Sequence, residues 1–358
     1  MLRKAPTSAV RSMADSSIRR RFSLARTAVS LLAATMLIAL AACGDNSPKP
    51  APAPAPTAKA PATDAKKPTV VGFSQIGAES AWRTANTKSI KEEAAKRGID
   101  LRFSDAQGKQ ENQIRALRSF IQQKVDVIAF SPVVETGWQA VLEEAKAAGI
   151  PVILTDRSVD VTDDSLYATF IGSDFIEEGK RAAEWLIKAS GGKAVIAELQ
   201  GTPGSAPAID RKKGFEAAIA GHPDMKIVKS QSGDFTRAKG KEVFEAFLRS
   251  PDGKSITALY AHNDDMALGA IQAMTESGVK PGKDVLVVSI DGVKDAFLAM
   301  RDGTLNCTVE CNPLIGPQVF DLIEKLRRGE TLPKRVKVDE GVYEATTVTD
   351  EVVRGRAY

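Results

Sequence analysis

The sequence predicts an α/β protein with two doubly wound parallel sheets, because short β-branched runs and amphipathic helical stretches alternate along most of the chain. The alternation begins at Thr69 and passes through two successive sets of strands and helices. The crossover connection in strand–helix–strand units of this kind is right-handed. The strands are therefore parallel, and helices cover both faces of the sheet. The pattern occupies about 290 residues, from Thr69 to Tyr358, which is enough for two domains of ordinary size.

The first set of elements lies in residues 69–172. Val125–Ser131 is apolar at almost every position, as expected of a central parallel strand that is covered on both faces. Ile114, Leu117 and Ile121 have the spacing of one helix face. The predicted strands are Thr69–Gln75, Ile99–Ser104, Val125–Ser131, Pro151–Thr155 and Tyr167–Gly172, and the predicted helices are Trp82–Arg97, Lys109–Gln123 and Glu135–Ala148.

The second set of elements repeats the same alternation. Leu305–Cys311 is a further candidate strand, and in an extended chain Cys307 and Cys311 lie roughly 13 Å apart. That separation is too long for a disulfide, so we expect two free, buried thiols. The predicted strands are Ala194–Leu199, Lys226–Gln231, Ile256–Ala261 and Val285–Ile290, and the predicted helices are Ile176–Ala189, Ala208–Ala220, Thr236–Leu248 and Asp265–Ser277.

Residues 1–68 have a different composition. Residues 1–42 join a basic stretch to an apolar segment of about 16 residues, which predicts a cleaved export signal because a spanning helix needs roughly 20 residues. The run Leu40-Ala41-Ala42-Cys43 resembles the lipobox of bacterial lipoproteins, in which the cysteine becomes the lipidated first residue. An ordinary secretory signal with a chance cysteine is the alternative. Residues 43–68 alternate Pro and Ala and predict an unfolded tether.

The net charge gives no support for a nucleic-acid partner. The whole chain is formally +4, but residues 1–42 contain seven basic side chains and one acidic side chain, a net of +6. Subtracting that +6 from +4 leaves a formal charge of −2 for the chain from Cys43 onward. The positive charge therefore belongs to the predicted export signal, and no nucleic-acid binding is expected.

Polar residues that follow the first-set strands are candidate ligand contacts, because doubly wound sheets bind ligands beyond the carboxyl ends of their strands. Asp156 and Arg157 directly follow a strand, and a carboxylate beside a guanidinium group matches the vicinal hydroxyls of a monosaccharide. An internal salt bridge is the alternative role. Trp82 and Arg83, with Glu79 one turn earlier, begin the first helix. The indole either covers the apolar face of a sugar ring or anchors the helix in the core.

Candidates of the same kind follow strands of the second set. Asn263 and Asp291 each come after a predicted strand, and both are candidate ligand contacts. Asp264 and Asp265 begin a helix, and we expect them to cap its N-terminus. Arg211 is positioned to bind a hydroxyl group, with a place on a solvated helix face as the alternative.

Catalytic motifs are absent from the sequence. No G-x-S-x-G elbow occurs, no G-x-G-x-x-G follows the first strand, and the two faint phosphate-loop patterns have the wrong spacing. The two histidines, His222 and His262, lack metal-ligand spacing, and we expect both to serve as polar loop residues. We therefore expect no enzyme activity, catalytic residue, cofactor or metal. Carboxylate chemistry at Glu79, Asp156 or Asp291 is the remaining alternative.

Seven segments resemble the galactofuranose-binding periplasmic protein family, which belongs to the wider ribose/galactose group of substrate-binding proteins. The resemblance extends from about Thr69 to about Gly329. It implies a type I periplasmic binding protein fold, with lobes 69–172 plus about 312–338 and 173–311 plus about 339–358, joined by three crossover segments. The segments are GFSQIGAESAWRTA, KQENQIRALRSFI, ILTDRSVDV, ELQGTPGSAPAIDRKKGF, QSGDFTRAKGKEV, YAHNDDMALGAIQA and SIDGVKDA.

The resemblance also implies a ligand site between the lobes. The chain departs from the family at Ala194 and Thr257, where a relative has cysteines, and at Cys311, where ribose-binding relatives have a glutamine that contacts the ligand. Phe235 corresponds to an aromatic residue that stacks on the sugar in ribose-binding relatives. The implied contacts are Glu79, Ser80, Trp82, Arg83, Asp156, Arg157, Arg211, Phe235, Asn263 and Asp291.

These features together predict a monomeric extracytoplasmic lipoprotein that captures a galactofuranose-like monosaccharide. The expected partners are an ABC permease with its ATPase subunit, and a membrane reached through the lipid on Cys43. A sugar-sensing lipoprotein that presents its ligand to a chemoreceptor or sensor kinase stays open as an alternative. A Lac-repressor-type regulator would need a helix-turn-helix in the first 60 or so residues, where the sequence has a signal and a tether instead.

Overall fold

The computed structural model describes residues 67–358, and the predicted signal, Cys43 and nearly all of the predicted tether lie outside the described residues. The strands are β1 (Val70–Gln75), β2 (Asp100–Asp105), β3 (Val127–Phe130), β4 (Val152–Thr155), β5 (Thr169–Gly172), β6 (Ala194–Gln200), β7 (Met225–Ser232), β8 (Ala258–Ala261), β9 (Leu286–Asp291), β10 (Cys307–Glu310), β11 (Arg335–Lys337) and β12 (Val342–Glu344). The helices are α1 (Ala81–Lys96), α2 (Gln110–Gln122), α3 (Gln139–Ala147), α4 (Phe175–Ser190), α5 (Ala206–Ile219), α6 (Arg237–Arg249), α7 (Asp264–Glu276), α8 (Lys294–Arg301), α9 (Gly316–Arg327) and α10 (Asp350–Gly355).

The strands form two six-stranded sheets with the same internal order. The first sheet runs β2–β1–β3–β4–β5–β11, and all of its neighbouring strands are parallel. The second runs β7–β6–β8–β9–β10–β12 and is parallel except for β12, which pairs antiparallel with β10. The prediction of two doubly wound α/β lobes is therefore confirmed.

Apolar side chains cover both faces of the first sheet. On one face, Ala129 of β3 belongs to a cluster with Ile90 of α1 and Phe320 of α9. On the other face, Phe130 belongs to a cluster that includes Trp138, and the two ring centroids are 4.9 Å apart. Because neighbouring β3 residues pack on opposite sides, the strand is apolar throughout, as its sequence predicts.

The second sheet has a core of its own. Leu199 of β6 and Leu259 of β8 are buried in a cluster with Phe215 of α5 and Phe297 of α8. Tyr260 stacks on Phe215 with ring centroids 3.9 Å apart. Each sheet thus carries its own hydrophobic core, as two separate lobes require.

Three connections cross between the lobes. The first follows β5 at Ser173, the second follows β10 at 311–315, and the third is the short segment 338–341 between β11 and β12. The lobe boundaries predicted from the sequence fall within these connections. The exact residue at which each lobe begins and ends stays a prediction. We refer to the three connections as the crossovers.

Helix α3 begins later than the sequence predicts. The predicted helix Glu135–Ala148 starts at Gln139 in the structure, because residues 135–137 form bends that end at Gly137 with φ +87°. Trp138 is fully buried and anchors the start of the helix. Five further elements have no counterpart among those predicted from the sequence: α8, α9, α10, β11 and β12.

Helices α4 and α5 touch backbone to backbone through two glycines. A Cβ atom on Gly179 of α4 would lie 2.1 Å from the carbonyl oxygen of Arg211, and one on Gly214 of α5 would lie 2.0 Å from that of Ile176. No side chain fits into these contacts. The close approach places Glu178 Oε2 2.7 Å from Arg211 Nε, which forms an ion pair between the helices.

None of the helices within residues 67–358 is both long enough and apolar enough to cross a lipid bilayer.

We predict that Gly214→Ala lowers the free energy of unfolding by about 1–3 kcal/mol, because the added methyl group forces α4 and α5 apart. Gly221→Ala is the matched control, since a Cβ atom at Gly221 meets nothing within 4 Å. Urea denaturation of both variants measures the difference. Equal stabilities for the two variants would show that the helix contact tolerates a side chain.

Candidate functional site

A cavity of about 280 Å³ lies between the two lobes. Loops at the carboxyl ends of strands in both sheets surround it, as expected for doubly wound sheets. All ten residues proposed from the sequence line this cavity, and Phe175, Pro207 and Cys311 line it as well. The ten are Glu79, Ser80, Trp82, Arg83, Asp156, Arg157, Arg211, Phe235, Asn263 and Asp291.

The first lobe contributes Arg83, whose guanidinium group pairs with two carboxylates, those of Asp156 and Glu79. Ser80 caps α1 by accepting a hydrogen bond from the Arg83 amide, so the helix starts at the cavity wall. Arg83 donates from Nη2 to Asp156 at 2.7 Å and from Nε to Glu79 at 3.0 Å, and only 3% of its side chain is exposed. Burial alone would lower the pKa of Arg83, but Asp156 and Glu79 outweigh it and raise the pKa.

Asp156 and its neighbour Arg157 lie side by side in the same wall. Asp156 has a left-handed backbone with φ +63°, and its Oδ2 also accepts a hydrogen bond from the Ser131 hydroxyl at 3.0 Å. Arg157 donates to the Val133 carbonyl at 3.1 Å, but its Nε is buried with no hydrogen-bond partner among the described residues. Burial, together with the positive charge of Arg83, lowers the pKa of Arg157 to about 10.

The second lobe contributes Arg211 from α5. Its Nε donates to Glu178 at 2.7 Å, its Nη1 donates to the His262 carbonyl at 2.6 Å, and its Nη2 lies 3.8 Å from Asp291 Oδ1. Burial opposes its charge, but the nearby acidic groups, Glu178 foremost and Asp291 among them, together outweigh burial and raise the pKa of Arg211. The expected alternative of a solvated helix face is wrong, because Arg211 is buried at 3% exposure.

Asp291 follows β9 with a backbone φ of +126°. Burial raises the pKa of its carboxyl well above the ordinary range, although Arg211 acts in the opposite direction. The next two amides, of Gly292 and Val293, donate to Asp264 Oδ2 at 2.7 and 2.8 Å. Asp264 therefore holds the loop that presents Asp291 to the cavity.

Two aromatic side chains bound the cavity from opposite lobes. Trp82 comes from the first lobe but packs in the core of the second lobe, and its Nε1 donates to the Cys311 carbonyl at 2.5 Å. It therefore anchors the helix in a core, which is one of the two roles considered for it, and it also lines the cavity. Phe235 has a left-handed backbone with φ +60°, and a Cβ atom at Gly201 would lie 1.9 Å from its ring. Gly201 thus leaves the space that the Phe235 ring occupies.

The expectation that Asp264 and Asp265 cap α7 is wrong. Asn263 is the N-cap, since its Oδ1 accepts a hydrogen bond from the Met266 amide at 3.0 Å. Asn263 also donates to the Phe235 carbonyl at 3.1 Å and lines the cavity. Asp265 instead accepts a hydrogen bond from the Ala81 amide of the first lobe at 2.7 Å, so its carboxylate joins the lobes.

The expectation that His262 is a polar loop residue is also wrong. His262 is fully buried beneath the cavity, with its Nε2 3.1 Å from Glu198 Oε1. Burial lowers the pKa of His262, so the ring is neutral near pH 7. Burial alone would raise the pKa of Glu198, but hydrogen bonds from His262 and Ser230 lower it to about 2. His262 lies between the buried strand β8 and the polar run Asn263–Asp265, and its burial depends on Glu198, a partner 64 residues earlier that the local sequence does not indicate.

Glu340, in the third crossover, connects all three crossovers. Its Oε1 accepts hydrogen bonds from the Ser173 hydroxyl in the first crossover and from the Asn312 amide in the second, the latter at 2.9 Å. Burial, and then the nearby charge of Glu178, raise the pKa of Glu340 to about 9. Glu340 is not among the site residues predicted from the sequence, because only the folded chain brings these three distant segments together.

Within residues 67–358, one group of side chains has the closeness that metal ligands need. Atoms of Glu178, Cys311 and Glu340 all lie within 4.8 Å of one another. Glu178 Oε2 is paired with Arg211, and Glu340 Oε1 accepts from a hydroxyl and an amide. Glu178 Oε1 is buried and has no hydrogen-bond partner among the described residues. Cys307 and Cys311 are free and buried, as predicted.

The cavity chemistry is suited to binding a polar, uncharged molecule. Arg83 and Arg211 each have a carboxylate partner, so the site presents donors and acceptors with little net charge. Aromatic rings from both lobes supply apolar surface beside these polar groups. A small ring with hydroxyls at its rim and C–H groups on its faces matches both features.

Comparison with known proteins gives consistent results. Residues 71–331 match the model of the periplasmic binding protein domain family. Over 288 residues the chain is 53% identical to the galactofuranose-binding protein YtfQ of Escherichia coli, which covers 80% of this chain and 91% of that protein.

Two solved structures are similarly close. The periplasmic binding protein of the arabinose ABC transporter from Shewanella sp. ANA-3, bound to α- and β-L-arabinofuranose, has a TM-score of 0.78 at 53% identity and covers 80% of this chain and 95% of that chain. A Mycobacterium smegmatis structure in complex with β-D-fucofuranose has a TM-score of 0.76 at 54% identity and covers 78% of this chain and 92% of that chain.

We predict that Glu340→Gln becomes more stable relative to the wild type as the pH rises from 5 to 9. Native Glu340 keeps its proton up to a pKa of about 9, whereas in the unfolded chain it releases the proton near its ordinary value of 4.5. The wild type therefore loses stability across this window, and the variant, which cannot titrate there, does not. Urea denaturation at the two pH values measures the change.

Asp339→Asn is the matched control, because Asp339 is the exposed neighbouring acidic residue and the substitution makes the same change from carboxyl to amide. The free energy of unfolding of Asp339→Asn relative to the wild type should not rise between pH 5 and pH 9 as that of Glu340→Gln does. If the stability difference between Glu340→Gln and the wild type is the same at pH 5 and pH 9, Glu340 is not protonated in the native protein.

Proposed function

Because the chain belongs to the periplasmic binding protein domain family, we propose that it is an extracytoplasmic solute-binding protein that captures a monosaccharide in its furanose form. The cavity between the lobes supports this proposal most directly. It combines two paired guanidinium groups, one from each lobe, with two aromatic walls in a volume of about 280 Å³. That space includes some that is open to solvent, so the enclosed part is smaller and suits a single small sugar.

The relatives support the furanose ring form. Three similar proteins are a galactofuranose-binding protein, a protein bound to L-arabinofuranose and a protein in complex with β-D-fucofuranose. These sugars share a five-membered ring with vicinal hydroxyls, and Asp156 with Arg157 offers an acceptor beside a donor for such a pair. Arg157 Nε is a buried donor without a hydrogen-bond partner among the described residues, and a sugar hydroxyl would satisfy it.

Capture would occur by closure of the two lobes over the sugar. In the structure the lobes already touch through the Ala81 amide and Asp265 at 2.7 Å, and through the Glu135 amide and the Gly204 carbonyl at 2.9 Å. A sugar that binds Asp156 in one lobe and Asp291 in the other interacts fully only when the lobes are closed. Its binding therefore shifts the population towards the closed form.

Delivery to an ABC importer completes the proposed function. The closed protein would dock on a permease whose ATPase subunit supplies the energy, with the protein acting as a monomer. Lipidation of Cys43 and the segment 43–68 would tether the lobes to a membrane surface. The alternative, presentation of the sugar to a chemoreceptor or sensor kinase, uses the same cavity and differs only in the docking partner.

We predict that L-arabinose and D-galactose, which form furanose rings in solution, raise the melting temperature of the protein more than D-glucose does. A ligand that binds only the folded state stabilises it in proportion to its affinity and free concentration. Thermal denaturation with each sugar at the same concentration measures the shift. A panel in which no monosaccharide moves the melting temperature would overturn the sugar assignment.

We predict that Asp156→Asn weakens sugar binding about 10- to 100-fold, because hydrogen bonds to charged groups contribute about 1.5–3 kcal/mol each. Asparagine tolerates the left-handed backbone at this position, and Glu79 still pairs with Arg83, so the fold should persist. Isothermal titration calorimetry measures the affinity. Asp160→Asn is the control, since Asp160 is an exposed carboxylate in the same lobe. Unchanged affinity in Asp156→Asn would remove Asp156 from the site.

A further inference from the structure

A second pocket adjoins the inner cavity at the mouth of the cleft between the lobes. We call it the outer pocket. Its volume is about 950 Å³, which includes space open to solvent. It is lined by the loops after β1 and β2 of the first sheet and by Thr202 and Asp234, which follow β6 and β7 of the second sheet. Both lobes therefore form it, as they form the inner cavity.

Glu79 separates the two spaces and lines both. Its Oε1 accepts from Arg83 inside the cleft, whereas its Oε2 is buried and has no hydrogen-bond partner among the described residues. Oε2 lies 3.5 Å from the position that a Cβ atom on Gly77 would take, on the side of the outer pocket. A group that leaves the inner cavity at this point passes a free carboxylate acceptor.

Asp234 gives a second connection between the spaces. It lines the outer pocket, and the next residue, Phe235, lines the inner cavity. Both have left-handed backbones, with φ +52° and +60°, so the chain turns sharply between the two spaces. A ligand of two linked rings would contact this turn with both of its parts.

The lining of the outer pocket selects the chemistry of its occupant. Three carboxylates line it, at Glu79, Asp105 and Asp234, together with the polar side chains of Thr202 and Gln107. No Lys, Arg or His is among its lining residues. Phosphate and uronate groups would be repelled by this charge, whereas sugar hydroxyls would donate hydrogen bonds to it.

We propose that the outer pocket is a second sugar subsite, so that the protein binds neutral furanosides of two linked units as well as single furanoses. The first ring occupies the inner cavity, and the second ring extends past Glu79 into the outer pocket. Ala78 and Gly77 at the edge of the pocket are small and leave room for the link between the rings. The subsite rests on the proposed function, because it needs a furanose ring in the inner cavity.

Isothermal titration calorimetry with L-arabinose and with the neutral disaccharide α-1,5-L-arabinobiose tests the subsite. The wild type should bind the disaccharide with an affinity within about 10-fold of that for arabinose. Ala78→Trp fills the outer pocket from its exposed edge. It should weaken disaccharide binding at least 10-fold and leave arabinose binding within twofold. Ala78→Ser, which adds one oxygen, is the matched control and should bind both sugars like the wild type.

The outcomes separate the subsite from the proposed function. Binding of arabinose without measurable binding of arabinobiose by the wild type would overturn the subsite alone. Ala78→Trp binding both sugars as the wild type does would also overturn it, because the pocket would then hold no part of the disaccharide. Binding of neither sugar by the wild type would contradict the proposed function, and the subsite with it.

Discussion

The burial of charged groups between two lobes is the constraint on which the rest of this structure depends. Arg83 and Arg211 are almost completely removed from solvent, and a buried charge without a partner is strongly destabilising, by about 3–5 kcal/mol in measured cases. Asp156 and Glu178 supply the partners at 2.7 Å. The cleft is therefore polar and nearly neutral, which favours an uncharged ligand with many hydroxyl groups.

The backbone is shaped to keep these pairs together. Asp156, Phe235 and Asp291 all have positive φ values, which residues other than glycine rarely adopt. All three line the cavity. Gly179 lets α4 approach α5 closely enough for Glu178 to reach Arg211. Strained residues and a close helix contact thus occur at the cavity, where the geometry of charged groups matters most.

The sequence predicts the sheets and the cavity lining better than the interior beneath the cavity. Strand–helix alternation is a local signal, and ligands bind beyond the carboxyl ends of parallel strands, so Asp156 and Asp291 are identifiable in advance as candidates at the edges of their own sheets. That the two edges face each other is implied only by the family resemblance. The roles of His262, Asn263 and Glu340 depend on partners far away in the chain, at Glu198, Phe235 and Ser173. Periodicity and spacing carry no information about such partners.

The central claim is that a sugar stabilises the closed arrangement by binding both lobes at once. Small-angle X-ray scattering of the protein with and without saturating L-arabinose tests it most directly. A smaller radius of gyration is expected with the sugar, because closure brings the lobes together. A radius of gyration that is unchanged while calorimetry shows the sugar bound would contradict it.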